Sequence, residues 1–325
     1  MMAFGVLQQR SVHRFSVRCA MVSCERIVCC VDFSEFSGRA LHCAAALARW
    51  YDARLIALHA VLNVPVVDVL PGGAAGITPV RLASIDSSVV ADAVRSFVAA
   101  HVPPTQVVET VVVEAGNVAD ELLTHAAALD ADMLVIGTHG RSGFERVLLG
   151  SAAEKILRKA SCPVLVVPRH ATEAPAGDTA PFTEIVCGID FSASCERALA
   201  YALDMAEEAD ARMTLLHVIE MPPELHALPN AEGIDVPAVR AAAEADCLRR
   251  LRAMVPESAH TYCTIHMEVV EGNPAREIVR MAEQRGADLI VMGVQGRSAV
   301  DMLLFGSKTH SVVRHSACPV LTVRV

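Results

Sequence analysis

The chain is a repeat of itself. Laid one half on the other, "ERIVCCVDFSEFSGRALHCAAALA" from Glu25 falls on "TEIVCGIDFSASCERALAYALDMA" from Thr183. "ARLIALHAV" falls on "ARMTLLHVI", "EAGNVADELLTHAAALDADMLVIG" on "VEGNPAREIVRMAEQRGADLIVMG", and "SCPVLVVP" on "ACPVLTVR". A period of this length leaves room for a complete domain in each copy, and 325 residues suffice for two domains that each bury a core. The expected division is an extension at 1–24, a first domain at 25–168, a linker at 169–182 and a second domain at 183–325. The linker stretch "PRHATEAPAGDTAPFT" is rich in proline, alanine, glycine and threonine and has no apolar periodicity. The extension holds Arg10, Arg14 and Arg18 and no acid, as an organelle presequence does. The alternative is that Met21 is the true start, since "MVSCERIVCCVDFS" opens directly onto a strand.

Within the first half, short β-branched runs alternate with longer helical patterns. Strands are predicted at Ile27–Asp32, Leu55–Val61, Val107–Val113, Met133–Ile136 and Val164–Val167, and helices at Phe36–Tyr51, Arg81–His101, Val118–Leu129 and Ser151–Lys159. Strands that are apolar throughout and separated by helices imply a parallel sheet covered on both faces. The expected fold class is α/β, two tandem doubly wound domains, each a five-stranded parallel sheet in the order 3-2-1-4-5 with helices on both faces. Such a sheet binds ligands beyond the carboxyl ends of its strands.

Two loops there match. "GTHGRSGFERVLLGS" follows the fourth strand of the first half and "GVQGRSAVDMLLFGS" that of the second, with glycines and a serine at the same offsets. A GxxG turn lets backbone approach a ligand and take positive φ. The Gly-Ser pair then offers free amides and a hydroxyl at a helix N-terminus, which suits a phosphate. The GxxxxGK[ST] loop is absent, and GxxG alone also serves plain connections; the full spacing occurring twice is what gives the pattern weight. Asp32 and Asp190 end the first strands. Each carboxylate is placed to hold a ribose hydroxyl, an adenine edge or a ligand-borne Mg²⁺, or instead to cap the next helix.

Charge and composition narrow the classes. A net charge of −9 argues against nucleic acid, whose phosphates need a basic face. No run of about eighteen residues lacks charges or breakers, so no membrane span is expected. The eleven cysteines have no zinc-like spacing and several, such as Cys29, Cys30 and Cys187, lie in apolar runs; they read as small buried hydrophobes of a reducing compartment. Cys162 and Cys318 precede prolines and read as packing residues, with an oxidant response as the alternative. His59 and His217 end apolar strands at matching positions; a hydrogen-bonded structural role outweighs a catalytic one, because no nucleophile has an evident partner. His139 and Gln295, inside the GxxG turns, face either solvent or phosphate. Two long connections, "LNVPVVDVLPGGAAGITP" and "IEMPPELHALPNAEGIDVP", are candidate lids or plain mobile loops.

The stretch "GTHGRSGFERVLLGSAAEKILRKASCPVLVVP", with "IVCCVDFSE" at the domain start, resembles the ATP-binding type of universal stress protein, in tandem form. The resemblance covers nearly all of Glu25–Val325. It implies that Asp32, with Cys30 and Val31, lies along the nucleotide and that Ala60 touches adenine. Ile136, Gly137, Gly140, Arg141, Gly150, Ser151 and Ala152 would surround ribose and phosphates. In the second half Gly188, Ile189, Asp190, Val218, Met292, Gly293, Gly296, Arg297, Gly306, Ser307 and Lys308 take the corresponding places. That half departs from the pattern where "SGF" becomes "SAV" and where Lys308 enters the helix start.

Three functions follow as expectations. The first is a cytoplasmic regulator of the stress response that binds ATP, optionally with Mg²⁺ near Asp32 and Asp190, with slow or no hydrolysis; its partner would be an adenine nucleotide, not nucleic acid or a membrane. The second is an ATP-using hydrolase or nucleotidyl transferase, and the third a ligand-independent interaction or thiol-sensing module. The last strands, "VLVV" and "VLTV", would be bare apolar edges in isolated halves, so the halves are expected to dock through them as an internal pseudo-dimer, a homodimer remaining open.

Overall fold

The structure, a computed structural model, describes residues 24–62, 66–67, 79–80, 87–138, 149–169, 171, 179–221, 236–294 and 306–324. The first half contributes β1 (Arg26–Cys30), α1 (Glu35–Tyr51), β2 (Arg54–Leu62), a two-residue pair β3 (Val66–Val67) and β4 (Pro79–Val80), α2 (Ser87–His101), β5 (Val108–Ala115), α3 (Val118–Ala128), β6 (Met133–Gly137), α4 (Ser151–Lys159) and β7 (Val164–Val167). The second half follows with β8 (Glu184–Ile189), α5 (Ala193–Ala209), β9 (Arg212–Ile219), α6 (Val236–Met254), α7 (Ala259–Tyr262), β10 (Thr264–Glu271), α8 (Pro274–Arg285), β11 (Leu289–Gly293), α9 (Ser307–His315) and β12 (Val320–Val323).

Within each half the five long strands are parallel, in the order third, second, first, fourth, fifth: β5-β2-β1-β6-β7 and β10-β9-β8-β11-β12. The doubly wound expectation holds. The two sheets are also one. β7 and β12 pair antiparallel, Val164 with Thr322, Leu165 with Leu321 and Val166 with Val320, giving ten continuous strands. Leu165 and Leu321 are equivalent in the repeat, so a pseudo-twofold axis passes between them, and the edge docking expected from their apolar sequences is what the structure has. Because the pairing is antiparallel, the carboxyl end of one half lies beside the amino end of the other.

One face of the sheet packs α1, α2, α5 and α6, the other α3, α4, α8 and α9. The central strands are apolar on both sides because both sides are covered. α1 lies close on the sheet because its buried stripe is small: Ala40, Ala44, Ala45 and Ala48 alternate with Leu41 and Leu47. Ser34 caps its start by accepting from the Ser37 amide, and Asp52, at φ 54°, ends it in the left-handed conformation. Ser192 and Asp210 do the same for α5.

The element boundaries shift slightly from expectation. β1 stops at Cys30, leaving Val31 and Asp32 beyond the strand, and Val107, 90% exposed, precedes β5 rather than starting it. The start expected for α2, at 81–86, lies outside the described residues, as do most of the two long connections. No described helix is long and apolar enough to cross a membrane.

Candidate functional site

Strand register assembles the site. β1 pairs Cys30 with Leu58 on one side and Cys29 with Val135 on the other, so Ala60, Asp32 and Thr138 stand in a row just past the carboxyl ends of β2, β1 and β6. Ile136 and Gly137 close β6 beneath them. The Gly150 amide donates to the Thr138 carbonyl at 2.9 Å, tying the start of α4 to the same row. In the second half, Ile189 with His217 and Met292 with Gly188 place Val218, Asp190 and Val294 equivalently, with Gly293 at the end of β11 and Gly306 starting α9. The two rows face opposite ways along the strands.

The helix starts in this region differ from those of the other long helices whose caps are described. α1, α3, α5 and α8 are each capped by a side chain, from Ser34, Asn117, Ser192 and Asn273. α4 and α9 begin at Gly150 and Gly306 with no side-chain cap, and Ser151, Ser307 and Lys308 are exposed. The first amides of these two helices have no carbonyl within the helix to bond, so they present donors and partial positive charge to whatever lies in front.

Asp32 and Asp190 each use one carboxylate oxygen locally. Oδ1 of Asp32 accepts from the Ser34 amide at 3.0 Å and its hydroxyl at 2.5 Å; Oδ1 of Asp190 accepts from Ser192 at 2.9 and 2.5 Å. The serines, not the aspartates, are the caps, and the aspartates hold the serines. Oδ2 of each makes no hydrogen bond among the described residues, which leaves it for a ligand.

Sequence reasoning missed Phe33 and Phe191. They sit between aspartate and serine at φ 64° and 62°, a backbone region that costs a bulky residue of order 1–3 kcal/mol. What holds them there is a ring contact. Phe33 lies 4.6 Å from the His59 ring, and Phe191 4.6 Å from that of His217, with the Arg250 guanidinium over its other side at 3.7 Å. The histidines are fixed in turn: Nδ1 of His59 bonds the Val31 carbonyl at 2.6 Å and Nδ1 of His217 that of Ile189 at 2.7 Å. The structural role expected for both histidines is what they have, bracing the turn that aims each aspartate. The clue in the sequence was the recurrence of phenylalanine after aspartate in "VDFS" and "IDFS".

Gly137 and Gly293 are glycines for a reason other than the one expected. Neither has positive φ. A Cβ on Gly137 would lie 2.8–2.9 Å from Phe36 Cβ and backbone, and one on Gly293 2.6–2.8 Å from Ser194 and the Cys195 amide. They let the strand end pack closely on the start of α1 or α5. The remaining members of the expected set, Gly140, Arg141, Gly296, Arg297, His139 and Gln295, lie outside the described residues. Lys308 is ion-paired with Glu220, one residue past β9, the strand that carries Val218. Ala152 stands at its place in the first half.

Most of the described thiols are buried or half-buried and held protonated. Burial pushes Cys24, Cys30 and Cys43 up to about 12 and Cys162 and Cys195 up to about 11. Cys318 is 8% exposed, its thiol against the Ser316 hydroxyl. Thiolate is the reactive form, so this is packing chemistry.

The family model of the universal stress protein family matches residues 24–168 and 181–324. A universal stress protein of Mycobacterium tuberculosis is 30% identical over 201 residues, which is 60% of this chain and 62% of that protein, so the alignment spans less than two thirds of that relative. A second, from Mycolicibacterium smegmatis, is 29% identical over 302 residues, 90% of this chain and 95% of the relative. The crystal structure of a universal stress protein from Archaeoglobus fulgidus shares the fold, with a TM-score of 0.59 at 20% identity over 92% of this chain and 98% of that one. With a doubly wound domain in each half and the family model matching both, the chain belongs to the universal stress protein family and carries two of its domains in tandem.

Proposed function

We propose that each half binds one ATP and that the protein acts as an occupancy-dependent regulator in the stress response. The observation that carries this reading is the uncapped, exposed start of α4 and of α9, each beside an aspartate with an uncommitted oxygen. The residues fit a nucleotide. The amides following Gly150 and Gly306 would take the phosphates, Asp32 and Asp190 the ribose or a Mg²⁺ brought by the triphosphate, and Ala60 and Val218 would lie against the base. A regulator is favoured over a hydrolase because the nearest histidines are accounted for structurally, each bonded through Nδ1 to a strand-end carbonyl and packed on the phenylalanine that follows the aspartate. It is favoured over a thiol sensor because the described thiols with shifted pKa are held neutral.

Titration calorimetry and thermal shift with ATP, ADP, AMP and cyclic AMP test the reading. Two sites per chain and stabilisation by ATP are expected. No stabilisation by any of the four would end it.

A further inference from the structure

The pseudo-twofold axis generates two equivalent crevices, each where the first helix of one half leans over the amino ends of the strands of the other. They are not alike. Between α5 and the base of the first half, the crevice lined by Tyr201, Asp204, Tyr51 and Asp132 has a volume of about 10 Å³, about the space of a single water. Between α1 and the base of the second half lies a cavity of about 450 Å³, within the range of small-molecule sites.

Ala171, Ala180 and Pro181, from the segment joining the halves, line only the larger one, and one helix position adds to the difference. Tyr201 of α5 corresponds in the repeat to Cys43 of α1, "ALAY" against "ALHC". The tyrosine ring occupies its crevice; the cysteine leaves the equivalent space open. Gly38 lets the His101 ring close one wall of it, since a Cβ there would come within 2.4 Å of Nε2 of His101, whose Nδ1 is committed to the Phe97 carbonyl at 2.8 Å. Glu196 takes the place of Gly38 in the second half.

The lining has a definite chemistry. Val167, Phe182 and Pro319 supply an apolar floor, and His42 and His101 add ring edges. Arg39 faces the cavity, partly buried, and makes no ion pair or hydrogen bond among the described residues. Of the two acids present, Asp288 is already satisfied by the Thr183 amide and hydroxyl and the Glu184 amide, at 2.8, 3.0 and 3.1 Å. Glu35 is exposed at the rim. One uncommitted guanidinium over an apolar floor selects an anion with an apolar body.

We infer that this cavity is a second ligand site, built jointly by the two halves and separate from the nucleotide sites, for a small organic carboxylate. The axis is broken here by the exchange of Cys43 and Tyr201, so among the described residues one such site is formed and its counterpart is filled.

Naphthoate, with naphthamide as its uncharged twin, tests this on the full chain by titration calorimetry. One naphthoate per chain is expected, undisturbed by saturating ATP. Arg39→Gln should weaken naphthoate about tenfold while leaving naphthamide unchanged, because only the charged contact is lost. Cys43→Tyr should abolish both, and Cys43→Met, a milder filling, should weaken both if the tyrosine variant does not fold. No naphthoate binding at millimolar concentration, displacement by ATP, or binding unchanged in both Cys43 variants would overturn the proposal.

Discussion

Leu165 and Leu321, equivalent residues of the two halves, pair with each other across β7 and β12 and are both fully buried. Each half therefore completes its sheet with the other, and the apolar edge that either would expose alone is covered. The same pairing sets the two candidate nucleotide sites at opposite ends of the strands and creates the two unequal crevices between the halves.

The pairing is measurable as a coupling. Leu165→Ala and Leu321→Ala should each cost about 2–5 kcal/mol, the usual range for emptying a buried leucine. Because the side chains share one environment, the double variant should cost less than the sum by about 0.5–3 kcal/mol. Urea unfolding of the four proteins reads this directly; strict additivity would mean that the two residues do not share a junction.

The glycines at the strand ends and those at the helix starts should behave differently. A Cβ at Gly137 meets Phe36 backbone at 2.9 Å, whereas one at Gly306 meets the Val294 carbonyl at 3.1 Å and the Thr309 hydroxyl at 3.6 Å, with φ at an ordinary −53°. Gly137→Ala should lower stability by about 1–3 kcal/mol through overpacking. Gly306→Ala should fold nearly as well as the parent, and Gly150→Trp with Gly306→Trp should fold yet lose ATP. Thermal unfolding and ATP titration of the same samples separate the two classes; a tryptophan variant that is folded and still binds ATP would remove the phosphate-cradle assignment.

The strand order was legible because each central strand is apolar on both sides and each is followed by a helical pattern, which leaves few topologies. Docking of the halves was legible for a related reason: "VLVV" and "VLTV" had no covered place to go in isolated domains. The role of Gly137 was not, because a glycine after a strand looks the same whether a ligand or Phe36 sits beside it. Phe33 was hidden by its type, since a phenylalanine next to an aspartate reads as core until its φ is known. The Cys43 and Tyr201 exchange was visible in the aligned repeat, but its meaning needed the opposing surface, which comes from residues more than a hundred positions away.

Buried neutral thiols set a pH limit. A thiol in the unfolded chain ionises near pH 8.5, while Cys24, Cys30 and Cys43 stay protonated in the fold to about 12. Their folded values are raised, so the stability they contribute is complete below about pH 8.5 and is lost as pH climbs toward 12, where only the unfolded state has gained the charge. Each thiol then contributes a slope of up to about 1.4 kcal/mol per pH unit. Urea midpoints should be level from pH 7 to 8 and fall above 9, and Cys24→Ala with Cys43→Ala should flatten the fall. In the same protein at pH 7.5, iodoacetamide should alkylate the buried thiols slowly without urea and fully with it.

The last prediction concerns the ion pair that only the second site has. Lys308 is held by Glu220, and both are about half exposed, so the pair itself is worth little, roughly 0–1 kcal/mol. Glu220 therefore does not prevent the ammonium from turning to a phosphate held by the amides behind Gly306, though it competes for it. In the full chain with the first site removed by Asp32→Ala, Glu220→Gln should tighten ATP severalfold and steepen its salt dependence, because the freed lysine gains a charge-assisted contact and a repelling carboxylate is lost. Lys308→Ala should weaken ATP and make Glu220→Gln much less effective in the double variant. ATP affinities at low and high salt decide it: equal values for the parent and Lys308→Ala at low salt would place Lys308 outside the site.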